Sequence, residues 1–207
     1  MAALLPPRYD KVLEVGCGAG AFSQSLQLAS ETWGVEPVAF AAEKAARHLT
    51  RVLHGKYDEV ASRIPDDYFD LAVCNDVIEH VEDHDRFLAS VHQKLRAGAC
   101  IVGSVPNMRN YRVLYELLVK KDWRYKDYGI LDRTHLRFFT EKSLRRALED
   151  NGFRIETLVG MRSAIQSVDD ALNLAKRAFF LVCSIVTFGG CRDIRYLQFG
   201  FRARKTA

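Results

Sequence analysis

The sequence has little that would place the protein in a membrane, outside the cell or on a nucleic acid. Its 207 residues contain no run of the roughly 20 apolar residues that span a bilayer. Residues 1–10 lack the charged start and apolar core of a signal peptide. The five cysteines are odd in number and form no C-x-x-C pair, so we expect no disulfide framework. A net charge of +4 does not by itself indicate nucleic-acid binding. We therefore expect a reduced, cytoplasmic protein.

The most informative stretch is residues 12–22, which predicts a buried strand, a turn of alternating glycines and the start of a helix. Glycine accepts a positive φ and has no side chain to hold a ligand away from the backbone. A helix that starts there would offer unpaired N–H groups and a partial positive charge to a carboxylate or phosphate. A purely structural turn is the alternative.

Alternating strand and helix patterns continue to a fifth predicted strand, over residues 99–105, and this alternation is typical of a doubly wound parallel α/β sheet. The pattern breaks at residues 108–133. Two further strands are predicted over residues 153–159 and 196–202, and a long helical stretch over residues 167–188. The length fits one domain, residues 1–207, with two insertions at residues 108–133 and 161–195.

The spacing of the glycines separates two ligand classes. The dinucleotide fingerprint is G-x-G-x-x-G, whereas this chain has G-x-G-x-G, with Glu14 two residues before the first glycine. Glu36, which ends the second predicted strand, can accept hydrogen bonds from both ribose hydroxyls. The pattern resembles motif I of the class I S-adenosylmethionine-dependent methyltransferases. A nicotinamide-dependent oxidoreductase remains the alternative for this turn.

The resemblance implies a Rossmann-like sheet of seven strands, mostly parallel with an antiparallel last strand, and S-adenosylmethionine as cofactor. Residues 75–80, 104–107 and 131–140 resemble a bacterial subgroup associated with polysaccharide and cell-envelope biosynthesis. The placement of Glu79 and His80 is also similar to quinone-precursor and small-RNA methyltransferases. The residues expected at the cofactor are Glu14, Gly16, Cys17, Gly18, Ala19, Gly20, Glu36, Pro37, Val38, Asp58, Asn75 and Asp76.

A second group of side chains suits the chemistry of methyl transfer. Asp76, Glu79 and His80 stand at i, i+3 and i+4, which places them on one face of a predicted helix. Together with His135 they could hold a divalent cation that lowers the pKa of an acceptor hydroxyl. Alternatively, His80 or His135 acts as a general base. The structural alternative is that Glu79 pairs with an arginine and His80 packs at a helix start.

The two insertions are the predicted lid and interaction segments. Residues 120–128 mix aromatic and basic residues, which could stack on a sugar or a base, although one short patch is little support for nucleic-acid binding. The apolar residues 178–186 are expected to pack on the lid or on a second subunit of a homodimer; peripheral membrane contact is the alternative.

The overall prediction is methyl transfer to an oxygen, or alternatively a nitrogen, of a small molecule or glycan precursor. A cofactor-binding module without catalysis and an RNA methyltransferase are the competing hypotheses.

Overall fold

The computed structural model describes residues 1–161, 174–187 and 190–206. The first part of the predicted helical stretch, residues 167–173, therefore lies outside the described residues. One sheet organises the described chain, and its strands are β1 (Lys11–Val15), β2 (Glu31–Glu36), β3 (Arg51–His54), β4 (Phe69–Asn75), β5 (Leu95–Pro106), β6 (Phe153–Met161) and β7 (Gln198–Lys205).

The strand order is β3-β2-β1-β4-β5-β7-β6. Neighbours from β3 to β5 pair in parallel, whereas β7 runs antiparallel to both β5 and β6. This arrangement confirms the predicted mostly parallel sheet with an antiparallel last strand. Because the chain order reverses between β1 and β4, the carboxyl ends of these two strands open a crevice in which ligands of such sheets bind.

Apolar residues bury both faces of the central strands. Val12 belongs to one apolar cluster and the next residue, Leu13, to another, and both are fully buried. Successive side chains of a strand point to opposite faces, so β1 is covered on both sides, as its continuous apolar run predicts.

Short helices connect the strands in the described part of the chain. They are α1 (Ala39–Ala45), α2 (Tyr57–Val60), α3 (His84–Lys94), α4 (Tyr111–Leu118), α5 (Glu141–Asp150) and α6 (Leu174–Val186). Thr140 caps α5, because its hydroxyl accepts from the Ser143 amide while Ser143 Oγ accepts from the Thr140 amide. No helix in the described part of the chain is long and apolar enough to cross a membrane.

The prediction of a helix after the glycines is wrong. Only a 3-10 turn, Ser23–Ser25, forms there, and Leu26 ends it with non-helical backbone angles. Ser25 Oγ donates to the carbonyl of Phe22, and Ser23 Oγ donates to Glu14. Serine side chains that bond locally compete with helix formation. The predicted helix N-terminus is therefore not part of the ligand crevice.

The sequence pattern of residues 78–94 favours a helix, but the structure interrupts it. A 3-10 turn, Ile78–His80, is followed by three non-helical residues, and Asp83 then caps α3 by accepting from the Arg86 amide. The helix ends at Lys94, and Gly98 lies inside β5, with φ +73°, and does not cap the helix. Strand β5 consequently starts four residues earlier than predicted.

Candidate functional site

The site begins with the cofactor loop, residues 16–20, at the carboxyl end of β1. Backbone amides of Gly16 and Cys17 both donate to the Val35 carbonyl on β2, at 2.8 and 3.2 Å. Gly16, Gly18 and Gly20 all have positive φ, between 53° and 81°. Residues with a Cβ adopt this conformation at a cost, so the loop requires its glycines.

The three glycines face different surroundings. A Cβ on Gly16 would lie 2.7 Å from Val77, and one on Gly20 would lie 2.8 Å from Leu49, so both sit against the protein. A Cβ on Gly18 would meet nothing within 4 Å. The backbone at Gly18 therefore borders open space, where a ligand can approach the main chain.

Glu36 ends β2 beside this open space, with 7% of its surface exposed. Its Oε2 accepts from the Gly18 amide at 2.9 Å, and its Oε1 accepts from the Val38 amide at 3.0 Å. Two backbone donors thus fix the carboxylate, and its remaining lone pairs are available to the hydroxyls of a ribose. The Val38 side chain is exposed next to it, which suits an apolar cover for an adenine ring.

Glu14 lies on β1 behind the loop and is almost fully buried. Burial raises its pKa to about 7, and the hydrogen bond from Ser23 opposes that rise. A buried carboxyl that titrates near neutrality can meet the ammonium group of a ligand indirectly, through its hydroxyl partner. Cys17 in the same loop is buried, whereas Asp58 is exposed on α2.

Asn75 and Asp76 continue the site at the end of β4. The Asn75 Oδ1 is buried without a hydrogen-bond partner among the described residues. A buried acceptor without a partner costs free energy unless a ligand or a water donates a hydrogen bond to it. Asp76 has φ +52°, and its Oδ1 accepts from Ser104 Oγ at 2.9 Å and from Gln198 Nε2 at 2.8 Å.

The geometry of Asp76 corrects the predicted helical face. A residue with positive φ cannot begin a right-handed helical turn, so Asp76, Glu79 and His80 do not follow helical spacing. Asp76 is anchored toward β5 and β7 by Ser104 and Gln198. In the described part of the chain, the group able to hold a metal consists of Glu79, His80 and His135 without Asp76.

These three residues form what we term the acceptor cluster. One ligand atom from each lies within 4.8 Å of the others. Glu79 is 1% exposed, and neither carboxylate oxygen has a hydrogen-bond partner in the described structure. Burial, with a smaller contribution from the Asp76 charge, raises the pKa of Glu79 to about 8. A buried carboxylate with no partner is what a bound cation would neutralise.

The two imidazole rings lie edge to face, with centroids 4.7 Å apart. His80 Nδ1 is 3.1 Å from the Thr134 carbonyl, and His135 Nδ1 is 3.0 Å from the Ile130 carbonyl. A carbonyl only accepts, so Nδ1 carries the proton in each ring. In the neutral form of each ring, Nε2 therefore carries the lone pair that a metal ligand or a general base requires.

The acceptor cluster depends on residues distant in sequence. The Glu79 carbonyl accepts from the amides of Leu136 and Arg137 at 2.7 and 3.0 Å, which docks residues 134–137 onto the turn at residues 78–80. Sequence analysis missed the supporting residues Ser23, Ser104 and Gln198. Ser23 stands close enough to Glu14 to have been considered, whereas no local signal links Gln198 to Asp76 across 122 positions.

The residues present fit both the predicted cofactor and the predicted divalent cation. The open space at Gly18, the fixed Glu36 carboxylate and the unpaired Asn75 oxygen suit a nucleoside that carries an amino acid. The unpaired Glu79 carboxylate and the two free Nε2 atoms suit a divalent cation. A crevice of this kind, at the switch point of a seven-stranded sheet with an antiparallel last strand, defines the class I S-adenosylmethionine-dependent methyltransferase fold.

Comparison with known proteins agrees with this class. Residues 1–158 match a family model described as a methyltransferase domain, so the chain belongs to the methyltransferase domain family. It also resembles a crystal structure of a SAM-dependent methyltransferase from Archaeoglobus fulgidus, with a TM-score of 0.67 and 17% identity. That match covers 99% of this chain and 89% of the other. The predicted family and fold class are thereby confirmed.

Curated relatives carry a more specific name. The chain is 26% identical over 163 residues to the mitochondrial ubiquinone biosynthesis O-methyltransferase of Rattus norvegicus, covering 73% of this chain and 46% of the relative. The corresponding protein of Schizosaccharomyces pombe is 28% identical over 160 residues, covering 73% and 57%. The chain thus spans about half the length of the curated relatives it matches.

Proposed function

We propose that this protein transfers a methyl group from S-adenosylmethionine to an oxygen of a small-molecule acceptor. The observation that carries the proposal is the fixed Glu36 carboxylate beside the open backbone of Gly18. The preference for oxygen rests on the acceptor cluster, which can assist the loss of a hydroxyl proton, and on the similarity to O-methyltransferases. A glycan-precursor acceptor and a cytoplasmic location remain predictions from the sequence.

The cofactor half of the site, which comprises the cofactor loop, Glu36 and Asn75, is the part that would bind and orient S-adenosylmethionine. When bound, S-adenosylmethionine supplies an activated methyl group on a sulfonium leaving group. Glu36 would accept from the ribose hydroxyls, the cofactor loop would border the amino-acid portion, and Asn75 Oδ1 would be available to accept from its ammonium group. Such contacts would orient the methyl group toward an incoming oxygen, and alignment is the main contribution a protein makes to a displacement of this kind.

The acceptor half handles the proton. His80 and His135 each hold Nδ1–H on a backbone carbonyl and present Nε2 as the basic atom. Either ring can take the proton of a hydroxyl that reaches the cluster. The positions of Thr134 and Ile130 fix the tautomer, so both rings are set for this role before an acceptor binds.

We further propose that Glu79, His80 and His135 hold a divalent cation. A cation there would lower the pKa of a bound hydroxyl and orient it. Glu79 must lose its proton to become a ligand, and its raised pKa makes cation and proton compete for the same carboxylate. We also propose that residues 108–133 form a lid, and the hydrogen bond from His135 Nδ1 to the Ile130 carbonyl, which places this segment in contact with the acceptor cluster, supports it.

Calorimetric titration tests the cofactor half. We expect S-adenosylmethionine and its demethylated product to bind, and the nicotinamide dinucleotides not to bind. Glu36→Ala should weaken binding at least 100-fold, because a charged acceptor of several hydrogen bonds is worth roughly 3 kcal/mol. Glu43→Ala, on the exposed face of α1, is the matched control. Binding of a nicotinamide dinucleotide in place of both sulfur compounds would refute the proposal.

An acceptor screen with methyl-labelled S-adenosylmethionine tests the reaction. Labelled product should appear from phenolic or other hydroxyl acceptors and should be absent from an RNA pool. Chelation followed by readdition of Mg²⁺ or Zn²⁺ separates the two roles of the acceptor cluster. Full activity after exhaustive chelation would reject the cation and leave the histidines as bases. Tight cofactor binding without product from any acceptor would favour a binding module.

A further inference from the structure

Helix α6 presents an apolar stripe to solvent. Its exposed positions are spaced three and four apart, which places them on one face of the helix. The four large residues among them are 57–68% exposed. We call this face the outer stripe: Ala178, Leu181, Val182, Ile185 and Val186. Amphipathic helices of globular proteins normally turn such a stripe inward, so its outward direction calls for a partner.

One side of α6 contacts α4. Phe179 packs edge to face on Tyr115 of α4, with ring centroids 5.8 Å apart. Helix α4 then ends in three consecutive exposed apolar residues, Leu117, Leu118 and Val119, which are 41%, 63% and 52% exposed. The outer stripe therefore lies on one of two packed helices that both expose apolar side chains.

Basic and aromatic side chains follow directly on α4. Residues 120–128 contain four basic residues, Lys120, Lys121, Arg124 and Lys126, against two acidic ones, Asp122 and Asp127, an excess of two positive charges. All of these residues are exposed, and so are Trp123, Tyr125 and Tyr128. Indole and phenol rings next to lysine and arginine are the composition that settles in the headgroup region of a bilayer.

We propose that the outer stripe of α6 and the basic segment at residues 120–128 dock this protein on an anionic membrane surface. Helix α6 has 13 residues, about 20 Å, which is too short to cross the apolar core of a bilayer. The helix lies in the plane of the interface with the outer stripe among the acyl chains. The basic residues contact lipid phosphates, and their attraction decreases as salt is added.

Charge favours a membrane over a second copy of the chain. A two-fold interface uses the same surface of both copies, so two copies of the positive segment at residues 120–128 would enter one interface without additional negative charge. An anionic bilayer offers the complementary charge across its whole area. The chain between β5 and α4 is tied to the segment before β7 by side-chain contacts. Arg109 pairs with Asp193 at 2.5 Å, and the Asn107 and Asn110 amides both donate to the Tyr196 carbonyl.

Vesicle flotation tests the proposal without reference to the methyl-transfer chemistry. The protein should float with vesicles of phosphatidylglycerol and phosphatidylcholine, more weakly at high salt, and should not float with phosphatidylcholine alone. Leu181→Asp combined with Ile185→Asp should lower vesicle affinity at least tenfold. Lys120→Glu combined with Lys121→Glu should lower it by a similar factor and flatten the salt dependence.

Leu28→Asp is the matched control, because Leu28 is also exposed, at 53%, but belongs to neither surface. It should float like the wild type, and circular dichroism should show that all variants fold. Failure of the wild-type protein to float with anionic vesicles would overturn the proposal. A dimer in light scattering that the α6 double variant splits, without vesicle binding by the wild type, would assign the outer stripe to a second copy instead.

Discussion

The two halves of the ligand crevice are built differently. The cofactor half uses residues at the ends of β1 and β2, tied together by backbone hydrogen bonds over short stretches of chain. The acceptor half joins the turn at residues 78–80 to residues 130–137, more than 50 positions away. The difference teaches that a cofactor site can be encoded in one local motif, whereas an acceptor site on the same sheet requires the tertiary fold.

The largest expected effect is on turnover, and it distinguishes the acceptor half from the cofactor half because only the acceptor half takes part in proton transfer. His135→Ala should lower turnover by roughly 100- to 10,000-fold, the range of a general base, and change cofactor affinity less than twofold. Labelled methyl transfer and calorimetry measure the two quantities. His48→Ala, at an exposed position after α1, should change neither. A comparable loss of cofactor affinity in His135→Ala would mean that the halves are not separable.

Glu14 tests the cofactor half through pH. The unfolded carboxyl loses its proton near pH 4.5 and the folded one near pH 7, so the free energy of unfolding decreases as pH rises between these values. The Glu14→Gln variant has no carboxyl at this position, so its free energy of unfolding does not decrease for this reason. Its stability relative to the wild type should therefore increase between pH 4 and 8, by on the order of 3 kcal/mol.

Urea unfolding of both proteins at several pH values measures the Glu14 effect. Groups such as Glu79 titrate in both proteins and cancel in the difference. Parallel pH profiles for the wild type and Glu14→Gln would contradict the raised pKa of Glu14.

Two glycines with the same backbone strain sharpen the comparison. Gly18 and Gly98 both have positive φ and open space where a Cβ would lie, but only Gly18 borders the crevice. Alanine at either position should cost about 1 kcal/mol of stability. Only Gly18→Ala should also weaken cofactor binding, by about tenfold. Equal cofactor affinities of the two variants would show that the open space at Gly18 is not used.

The smallest effect concerns the support of the acceptor half. Thr140→Ala removes the cap of α5, which begins just after residues 134–137, and should cost about 1 kcal/mol of stability. Turnover should fall more than cofactor affinity, because the cap steadies the chain that carries His135. Thr140→Ser should restore both. Unchanged turnover at full cofactor saturation would separate the cap from the acceptor cluster.

Much of the cofactor half could be predicted from sequence. The spacing of the glycines and the distance to Glu36 specify a strand, a tight turn and a second strand, and the structure brings them together as expected. The helix after the turn could not be predicted correctly. Its apolar spacing fits a helix, but Ser23 and Ser25 bond to Glu14 and to the Phe22 carbonyl, and these contacts prevail over the apolar spacing.

The acceptor half was only partly predictable. His80 and His135 were identified as partners, but the helical face assigned to Asp76 was wrong because its backbone turns to positive φ and its side chain bonds to Gln198. The sequence also did not predict that the apolar stripe of α6 faces solvent. Apolar spacing predicts that a helix has an apolar face, whereas only the structure tells which face the rest of the protein covers.

Strand β7 occupies a place in the sheet that its position in the chain would not suggest. It sits between β5 and β6 although it follows both in sequence, and it carries the Gln198 that holds Asp76. During translation, the edges of β5 and β6 that pair with β7 have no partner until residues 198–205 leave the ribosome. A nascent chain that lacks residues 198–205 therefore exposes strand edges that favour aggregation, and its Asp76 lacks the hydrogen bond from Gln198.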